Sequence, residues 1–363
     1  MTMKNPALRG DTGPARVSHL RHGEPSYFST PAGWAFVLLA SYIIWFLTTS
    51  ERSVYTVADQ DAYLLYFKYT DWNWLQHYFA GIGMGFGLIP HLITDEIGWR
   101  LWIILVNSFG FTPESAIRLT VGLTNALVFC ALARLRRPLL GLLLWAVIPA
   151  ALFTIGLFQL RQGFGFGIAM VLAIRLRRPL LGLLIASTIH TTFAIPAILL
   201  IVARRSGSDN RISLPVMAIA GTVLAASAQT LFATFGGRRL NDYANYEAEF
   251  SVNLLVLLLS YGFASVQLIA SLPYIRAVRL RAPLRELALM HIGLLAYLVC
   301  AFVFFPLGKD RVFYYISLML PFFVQEIRVK NGITLWMTTV LFVMITADVY
   351  LASQKGVYGY FLR

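Results

Sequence analysis

Charged residues are scarce in this chain. Only 13% of its 363 residues are Asp, Glu, Lys or Arg, whereas 58% are hydrophobic. A soluble domain carries about 25% charged residues, so this composition excludes an ordinary soluble enzyme. The apolar residues come in long blocks, and a block of roughly 20 is enough to cross a bilayer as a helix. The sequence therefore predicts an all-α, polytopic integral membrane protein with about ten to twelve transmembrane helices.

Cysteine residues are few, and apolar residues rarely alternate with polar ones. The first observation argues against a disulfide framework and the second against a β-barrel. The two cysteines, Cys130 and Cys300, lie within apolar segments, so we expect buried thiols and no disulfide framework. Apolar stretches such as Leu254–Leu259 do not alternate with polar residues as barrel strands would. Helical spans are therefore favoured over a closed barrel.

The ends of the chain differ from its centre in composition. Residues 1–31 are polar and contain Gly, Pro and Arg, which predicts a disordered cytoplasmic tail. This tail is too long for the first part of an ordinary signal peptide, so we expect the first apolar block to remain as a transmembrane helix. The predicted organisation is a single transmembrane domain over 32–351, followed by a short outer tail at 352–363.

The basic residues indicate the membrane topology. The net charge is +13, but the Lys and Arg residues form short clusters between apolar blocks, as the positive-inside rule expects, so nucleic-acid binding is not predicted. The sequence RLRRPLLGLL occurs twice, at Arg134–Leu143 and Arg175–Leu184. We interpret both copies as one topological device, an Arg cluster followed by Pro in the first turn of a helix.

The segment Pro179–Ala203 has a polar centre and decides the topology of the second half. If it is a re-entrant hairpin with its tip at Ser187–Thr192, 19 of the 30 Lys and Arg residues lie on the cytoplasmic side and 10 outside. If it is one tilted span, the division becomes 16 against 13. The positive-inside rule therefore favours the hairpin.

Candidate site residues lie on the outer face in this topology. Arg161 occupies a very short turn beside Gln162, where a cation near lipid is costly unless an anion faces it. The planar guanidinium group of Arg161 can donate two parallel hydrogen bonds to a phosphate or carboxylate. We therefore expect a substrate phosphate or a distant carboxylate as its partner. Snorkelling to the membrane interface is the structural alternative.

His190 and an acidic pair complete the catalytic candidates. His190 lies deep in an apolar block among polar residues, which predicts a general base or a ligand of sugar or phosphate. The alternative is a structural histidine that is hydrogen-bonded to a neighbour. Asp59 and Asp61 have the spacing of a short motif that can hold a divalent cation, and Asp61 is the third catalytic candidate.

The order of these residues resembles the EpsG-like, Wzy-type polysaccharide polymerases. The similarity runs from Tyr55 to Tyr315, whereas residues 236–249 have no clear counterpart. It rests on these places: Asp61 with Tyr63, Glu96 with the region Trp99–Arg118, Arg161-Gln162-Gly163 leading to Ala169, Ala186 and His190, and Lys309-Asp310-Arg311 leading to Tyr314 and Tyr315. The outer-face analysis and the resemblance together nominate these substrate-binding residues: Arg161, Gln162, Arg238, Arg239, Lys309, Arg311, Asp59, Glu96, Tyr63 and Tyr314.

The resemblance implies a fold akin to lipid-linked-oligosaccharide transferases and a specific reaction. A growing glycan is transferred from undecaprenyl pyrophosphate onto another lipid-linked repeat unit, which builds an extracellular polysaccharide or O-antigen. The location would be the bacterial cytoplasmic (inner) membrane, with the active site on its outer face. No metal or other cofactor is implied. The expected partners are membrane lipid, a flippase and a chain-length regulator, and no nucleic acid.

Two other functions remain open. The first is a membrane glycosyltransferase that uses a polyprenyl-monophosphate sugar, with Asp59 and Asp61 as its acidic site; sensitivity to a chelator would favour it. The second is a transporter or flippase of lipid-linked glycan. Many transporters are built from internal repeats, and the sequence shows no repeat longer than the ten-residue device.

Overall fold

The computed structural model describes residues 27–49, 60–82, 88–207, 209–235, 252–275, 277–304, 309–329 and 331–354. Every regular element in these ranges is a helix. The α-helices are, in chain order, α1 (Pro31–Thr49), α2 (Gln60–Tyr69), α3 (Trp72–Ile82), α4 (Leu88–Thr94), α5 (Ile97–Ser108), α6 (Pro113–Leu132), α7 (Pro138–Val147), α8 (Leu160–Ile174), α9 (Pro179–Ile189), α10 (Ala194–Arg205), α11 (Asn210–Phe235), α12 (Val252–Ser271), α13 (Val278–Phe304), α14 (Lys309–Phe323) and α15 (Gly332–Gln354). Most of the predicted N-terminal tail and of the outer C-terminal tail lies outside these residues.

The helices have the length and surface of a membrane protein. Within the described ranges, five are long and apolar enough to cross a bilayer: α1, α6, α15 and parts of α11 and α13. A sixth span results if α7 is counted together with the π-helical segment Ala150–Phe158, so the predicted count of ten to twelve is not confirmed. Large apolar side chains lie on the outer surface, such as Trp336 at 62% exposure. A surface of this kind is stable against lipid rather than water.

The sequence also predicts one membrane span at Leu139–Leu157, and in the structure this stretch is broken into two helical pieces. Helix α7 ends at Val147, and the π-helical segment continues at an angle of 75° to it. The break lies at Ile148, whose backbone is extended (φ −68°, ψ 118°). Because the ring of Pro149 disfavours helical backbone in the residue before it, the chain bends there.

Polar contacts hold this bend inside the apolar core. The buried Asn125 on α6 donates from Nδ2 to Gly156 O at 2.9 Å, and Trp145 Nε1 donates to Asn125 Oδ1 at 3.1 Å. A carbonyl group that is freed by irregular backbone in an apolar environment is costly unless another group bonds it. Asn125 therefore supplies a hydrogen-bond donor to a carbonyl group that the broken helix would leave unpaired.

A second break lies at the predicted hairpin tip. Helix α9 ends at Ile189, His190 is extended (φ −146°, ψ 118°), and a 3₁₀ turn at Thr191–Phe193 leads into α10. Pro179 and Pro196 line the same small apolar pocket. A continuous helix would separate these two prolines by about 25 Å, so the chain turns back at the tip.

A contact between distant loops agrees with the hairpin topology. The backbone N–H of Arg136 donates to Glu326 Oε1 at 2.7 Å. The hairpin places both loops on the cytoplasmic side, whereas a single span over 179–203 would place them on opposite sides. The two loops therefore lie at one end of the helix bundle.

The ten-residue repeat belongs to a longer structural repeat. Arg137 and Arg178 precede α7 and α9 with similar backbone angles (φ −131°, ψ 67° and φ −121°, ψ 59°), and each is followed by Pro. The extended residues at the two helix breaks, Ile148 and His190, are 42 residues apart, one more than Arg137 and Arg178, so the two units have nearly the same length. The interpretation of the repeat as a topological device alone is therefore incomplete.

Candidate active site

Glu96 is the buried centre of the candidate site. It precedes α5, is 2% exposed, and has left-handed backbone angles (φ 54°, ψ 48°). This conformation costs a residue other than glycine about 1–3 kcal/mol and persists only where surrounding contacts hold it. The carboxylate of Glu96 makes such contacts with two side chains, those of His190 and Arg161.

His190 is oriented by this carboxylate. Its Nδ1 lies 2.8 Å from Glu96 Oε1, and the backbone nitrogen of Thr191 lies 3.5 Å from the same oxygen. An ionised carboxylate only accepts hydrogen bonds, so Nδ1 carries the proton and donates it. In the neutral ring, Nε2 then holds the lone pair. The arrangement therefore leaves Nε2 as a proton acceptor.

Arg161 holds the other oxygen of the carboxylate. It is the second residue of α8, and its Nη1 donates to Glu96 Oε2. Its guanidinium carbon lies 5.8 Å from the ring centre of Tyr63 and 5.5 Å from that of Tyr66. The side chain keeps 20% exposure, whereas Glu96 beneath it is enclosed. The distant carboxylate expected as one partner of Arg161 is thus Glu96.

Two glycines allow the helices to meet at this point. A Cβ on Gly98 would overlap Thr188 Oγ1, so glycine lets the first turn of α5 lie on the last turn of α9 without displacing that side chain. A Cβ on Gly163 would overlap the carbonyl oxygen of Ile155, so the first turn of α8 lies directly on the π-helical segment. These close approaches bring Glu96, His190 and Arg161 together although they are distant in the sequence.

The electrostatic character of the site favours an anion. Helices α5 and α8 both begin here, with Glu96 before the first turn of α5 and Arg161 in the first turn of α8. The N-terminus of a helix presents unpaired N–H groups and a partial positive charge. Together with the Arg161 guanidinium, these two N-termini attract negative charge to the exposed side of the site.

Helix α14 supports the tip from the other side. Tyr315 OH lies 2.5 Å from Thr192 Oγ1, and the Tyr315 ring packs against that of Phe193 at 4.7 Å between centres. The sequence nominated the neighbouring Tyr314, which is half-buried against the apolar core. Tyr315 was only part of the resemblance, and the structure shows that it, rather than Tyr314, contacts the tip.

An arginine that the sequence did not single out extends the site. Arg100 donates from Nη1 to Thr70 Oγ1 at 2.9 Å, and its guanidinium lies 4.5 Å from the ring centre of Tyr66 and 4.6 Å from that of Trp74. Tyr66 therefore contacts both Arg100 and Arg161. The available signal was the spacing, because Arg100 lies four residues after Glu96 and hence one helical turn along.

The structure describes the side chains of some of the other candidate residues but not of all. Tyr63 is buried beside Arg161, and Gln162 is buried on α8, but the side chain of Asp61 is exposed and does not join Glu96. Across the described ranges, no group of three or more His, Cys, Asp or Glu side chains is placed to hold a metal ion. Three candidates lie outside the described residues: Asp59, Arg238 and Arg239. For Lys309 and Arg311 the structure describes the helical backbone but not the side chain.

Comparison with known proteins identifies the family. The EpsG family model matches residues 34–362, which is nearly the whole chain and includes Glu96, Arg161 and His190. No curated protein and no solved structure matches. The family is associated with polysaccharide polymerisation in membranes. This chain belongs to the EpsG family.

Proposed function

We propose that this protein is a membrane glycosyltransferase that polymerises lipid-linked oligosaccharide repeat units. The single observation that carries the proposal is the contact of one buried carboxylate, Glu96, with both a histidine and an arginine. Glycosyl transfer from a pyrophosphate carrier needs a base for the acceptor hydroxyl and a cation for the leaving group. His190 and Arg161 supply these two groups side by side.

On the acceptor side, His190 acts as the general base. A sugar hydroxyl of the acceptor approaches Nε2, which takes its proton as the oxygen attacks the anomeric carbon of the donor. A positioned base of this kind contributes typically about a hundred- to ten-thousand-fold to the rate. Glu96 is the positioning residue, because it holds the tautomer in which Nε2 has its lone pair and stabilises the imidazolium that forms.

On the donor side, Arg161 binds the leaving group. The bond between the anomeric carbon and the pyrophosphate oxygen breaks, and both bonding electrons leave with undecaprenyl pyrophosphate. The two-pronged fork of Arg161 and the N-termini of α5 and α8 stabilise the charge that develops on this oxygen. The product is the glycan lengthened by one repeat unit, and the proton leaves later from His190.

The location that fits this reaction is the outer face of a bacterial inner membrane, and the product is an exopolysaccharide or O-antigen. The placement follows from the predicted topology, in which the arginine-rich loops are cytoplasmic and the tip at His190 faces outward. The carrier tail then stays in the bilayer while its pyrophosphate reaches Arg161 at the outer interface.

The test uses lipid-linked repeat units extracted from membranes of a strain that lacks the protein. The purified protein is reconstituted into vesicles with these units, and the chain length of the product is measured. We expect wild type to form polymer, His190→Ala to lose about a hundredfold or more of the rate, and His77→Ala to keep it. His77 is a matched control, because it is an exposed histidine that bonds only its own helix among the contacts described.

Outcomes in the deletion strain separate the proposal from a flippase. A strain without a polymerase accumulates single lipid-linked units on the outer face, whereas a strain without a flippase accumulates them inside. Accumulation on the inner face, or equal polymer from His190→Ala and wild type at equal abundance, would refute the proposal.

A further inference from the structure

Two buried polar side chains near the site have hydrogen-bonding atoms without a partner. Gln60 at the start of α2 is 1% exposed, and neither its Oε1 nor its Nε2 has a hydrogen-bond partner among the described residues. Trp99 on α5 is also 1% exposed, and its Nε1 lacks such a partner as well. An unpaired buried donor or acceptor costs about 1–3 kcal/mol. Groups of this kind in a folded protein call for an explanation, and a ligand is one.

Both residues adjoin the candidate site through Tyr63. The Tyr63 ring lies 5.9 Å from the Trp99 ring, centre to centre, and 5.8 Å from the Arg161 guanidinium. Gln60 precedes Tyr63 by three residues on the buried face of α2, which is close to one helical turn. Trp99 and Arg161 therefore flank one aromatic ring, and Gln60 lies about one helical turn before that ring on the same helix.

The chemistry of these atoms matches a sugar. An amide donates and accepts hydrogen bonds at once, as a sugar hydroxyl does, an indole N–H adds a donor, and an aromatic ring offers an apolar face to a sugar ring. Gln60 stands between Asp59 and Asp61 in the motif that suggested a divalent cation. Asp61 is exposed on α2, whereas Gln60 faces inward, which favours a neutral, hydroxyl-bearing ligand over a cation at this position.

We propose that Gln60 and Trp99 form a sugar-binding subsite that recognises the hydroxyl groups of the donor sugar joined to the pyrophosphate. The proposal rests on the proposed function and deepens it, because it separates a sugar-binding part of the site from the phosphate-binding part at Arg161. It assigns recognition of the sugar to Gln60 and Trp99, whose hydrogen-bonding atoms have no partner among the described residues.

The energetics provide a sharp test in Gln60→Leu. A glutamine kept for structure gains nothing from unpaired amide atoms, so leucine would leave stability unchanged or raise it without altering the reaction. A glutamine that binds substrate gives a protein that is equally or more stable but binds the donor poorly. We expect Gln60→Leu to keep its thermal midpoint in detergent and to raise KM for the extracted lipid-linked units about tenfold.

The control is Tyr297→Phe. Tyr297 on α13 is likewise buried, with a hydroxyl that has no hydrogen-bond partner among the described residues. None of the contacts described joins it to Glu96, Arg161 or His190, so KM should not change. A second readout separates the subsites: inhibition by inorganic pyrophosphate should be unchanged in Gln60→Leu and weakened in Arg161→Lys. If leucine lowers abundance, the unbranched Gln60→Met replaces it with the same expectations.

The results distinguish the two proposals. If wild type forms polymer and both apolar variants keep the wild-type KM, the sugar subsite is refuted while the proposed function stands. If pyrophosphate inhibition weakens in Gln60→Leu as much as in Arg161→Lys, Gln60 binds phosphate and the inference is also overturned. If wild type forms no polymer from the lipid-linked units, the proposed function itself is refuted.

Discussion

Replacing Glu96 with Gln tests the centre of the site with a change of few atoms. The glutamine amide has one accepting oxygen and one donating nitrogen in place of two accepting oxygens. Arg161 cannot lose its proton, so the amide oxygen must face Arg161 Nη1. The amide nitrogen then faces His190 Nδ1, which can pair with it only as an acceptor. The imidazole proton therefore moves to Nε2.

The expected magnitude follows from this shift of the tautomer. With its proton on Nε2, His190 cannot accept a proton from a sugar hydroxyl, so the general-base contribution of about a hundred- to ten-thousand-fold is lost. The shape of the side chain is unchanged, so the helices around Glu96 should still pack. We therefore expect Glu96→Gln to reach normal abundance in the membrane and to lose at least about a hundredfold in polymerisation rate.

The assay measures chain growth in vesicles and the tautomer directly. Nitrogen NMR of the His190 ring should report a proton on Nδ1 in wild type and on Nε2 in the variant. The matched control is Glu326→Gln, the other buried carboxylate named here, which lies at the opposite end of the bundle beside Arg136. A Glu96→Gln protein that polymerises at the wild-type rate would refute the assignment of His190 as a base oriented by Glu96.

Three further predictions concern the leaving group, the helix contact and the cytoplasmic end. Arg161→Lys should retain the fold but lose most polymer, because lysine keeps the charge without the paired geometry, and full-length polymer from this variant in a complemented deletion strain would exclude a clamp on the pyrophosphate. Gly98→Val should lower activity and thermal midpoint together, because its side chain would overlap Thr188; unchanged values of both would show that α5 can move away. Burial raises the pKa of Glu326 above its ordinary 4.5, against the opposing effect of the Arg136 N–H and nearby arginines. The folded state then binds more protons than the unfolded one, so the thermal midpoint should rise as pH falls from about 7.5 toward about 5, and Glu326→Gln should flatten this rise.

The helical class of the fold was predictable because burial in lipid leaves few choices. Long apolar blocks must satisfy their own backbone groups, and most such blocks in the described residues form helices. The break at His190 was also predictable, since a cluster of polar side chains in an apolar block is costly unless the chain is irregular there. By contrast, the break at Ile148 was missed although Pro149 carried the signal, because the surrounding residues are all apolar and read as one continuous span.

The pairing within the site was only partly predictable. Glu96, Arg161 and His190 were all nominated, but their mutual contact depends on helix packing across 65 and 94 positions of sequence. No local pattern encodes such a contact. The glycine that permits it, Gly98, resembles an ordinary helix residue until the partner helix is known. Gln60 was overlooked for a related reason: the two aspartates beside it suggested a site, whereas the buried face of α2 selects the residue between them.

The structural repeat explains why one copy carries the chemistry and the other does not. In the first unit, the break at Ile148 is followed by a π-helical segment in which Asn125 donates to the carbonyl oxygen of Gly156, so the irregular backbone is satisfied from within. In the second unit, the extended residue at the break is His190, and the polar groups there bond outward to Glu96 and Tyr315. A helix break inside a membrane must be satisfied by something. Where the first unit uses a structural amide, the second uses a carboxylate that also holds Arg161. The same backbone device therefore stabilises the fold in one copy and places a base beside a cation in the other.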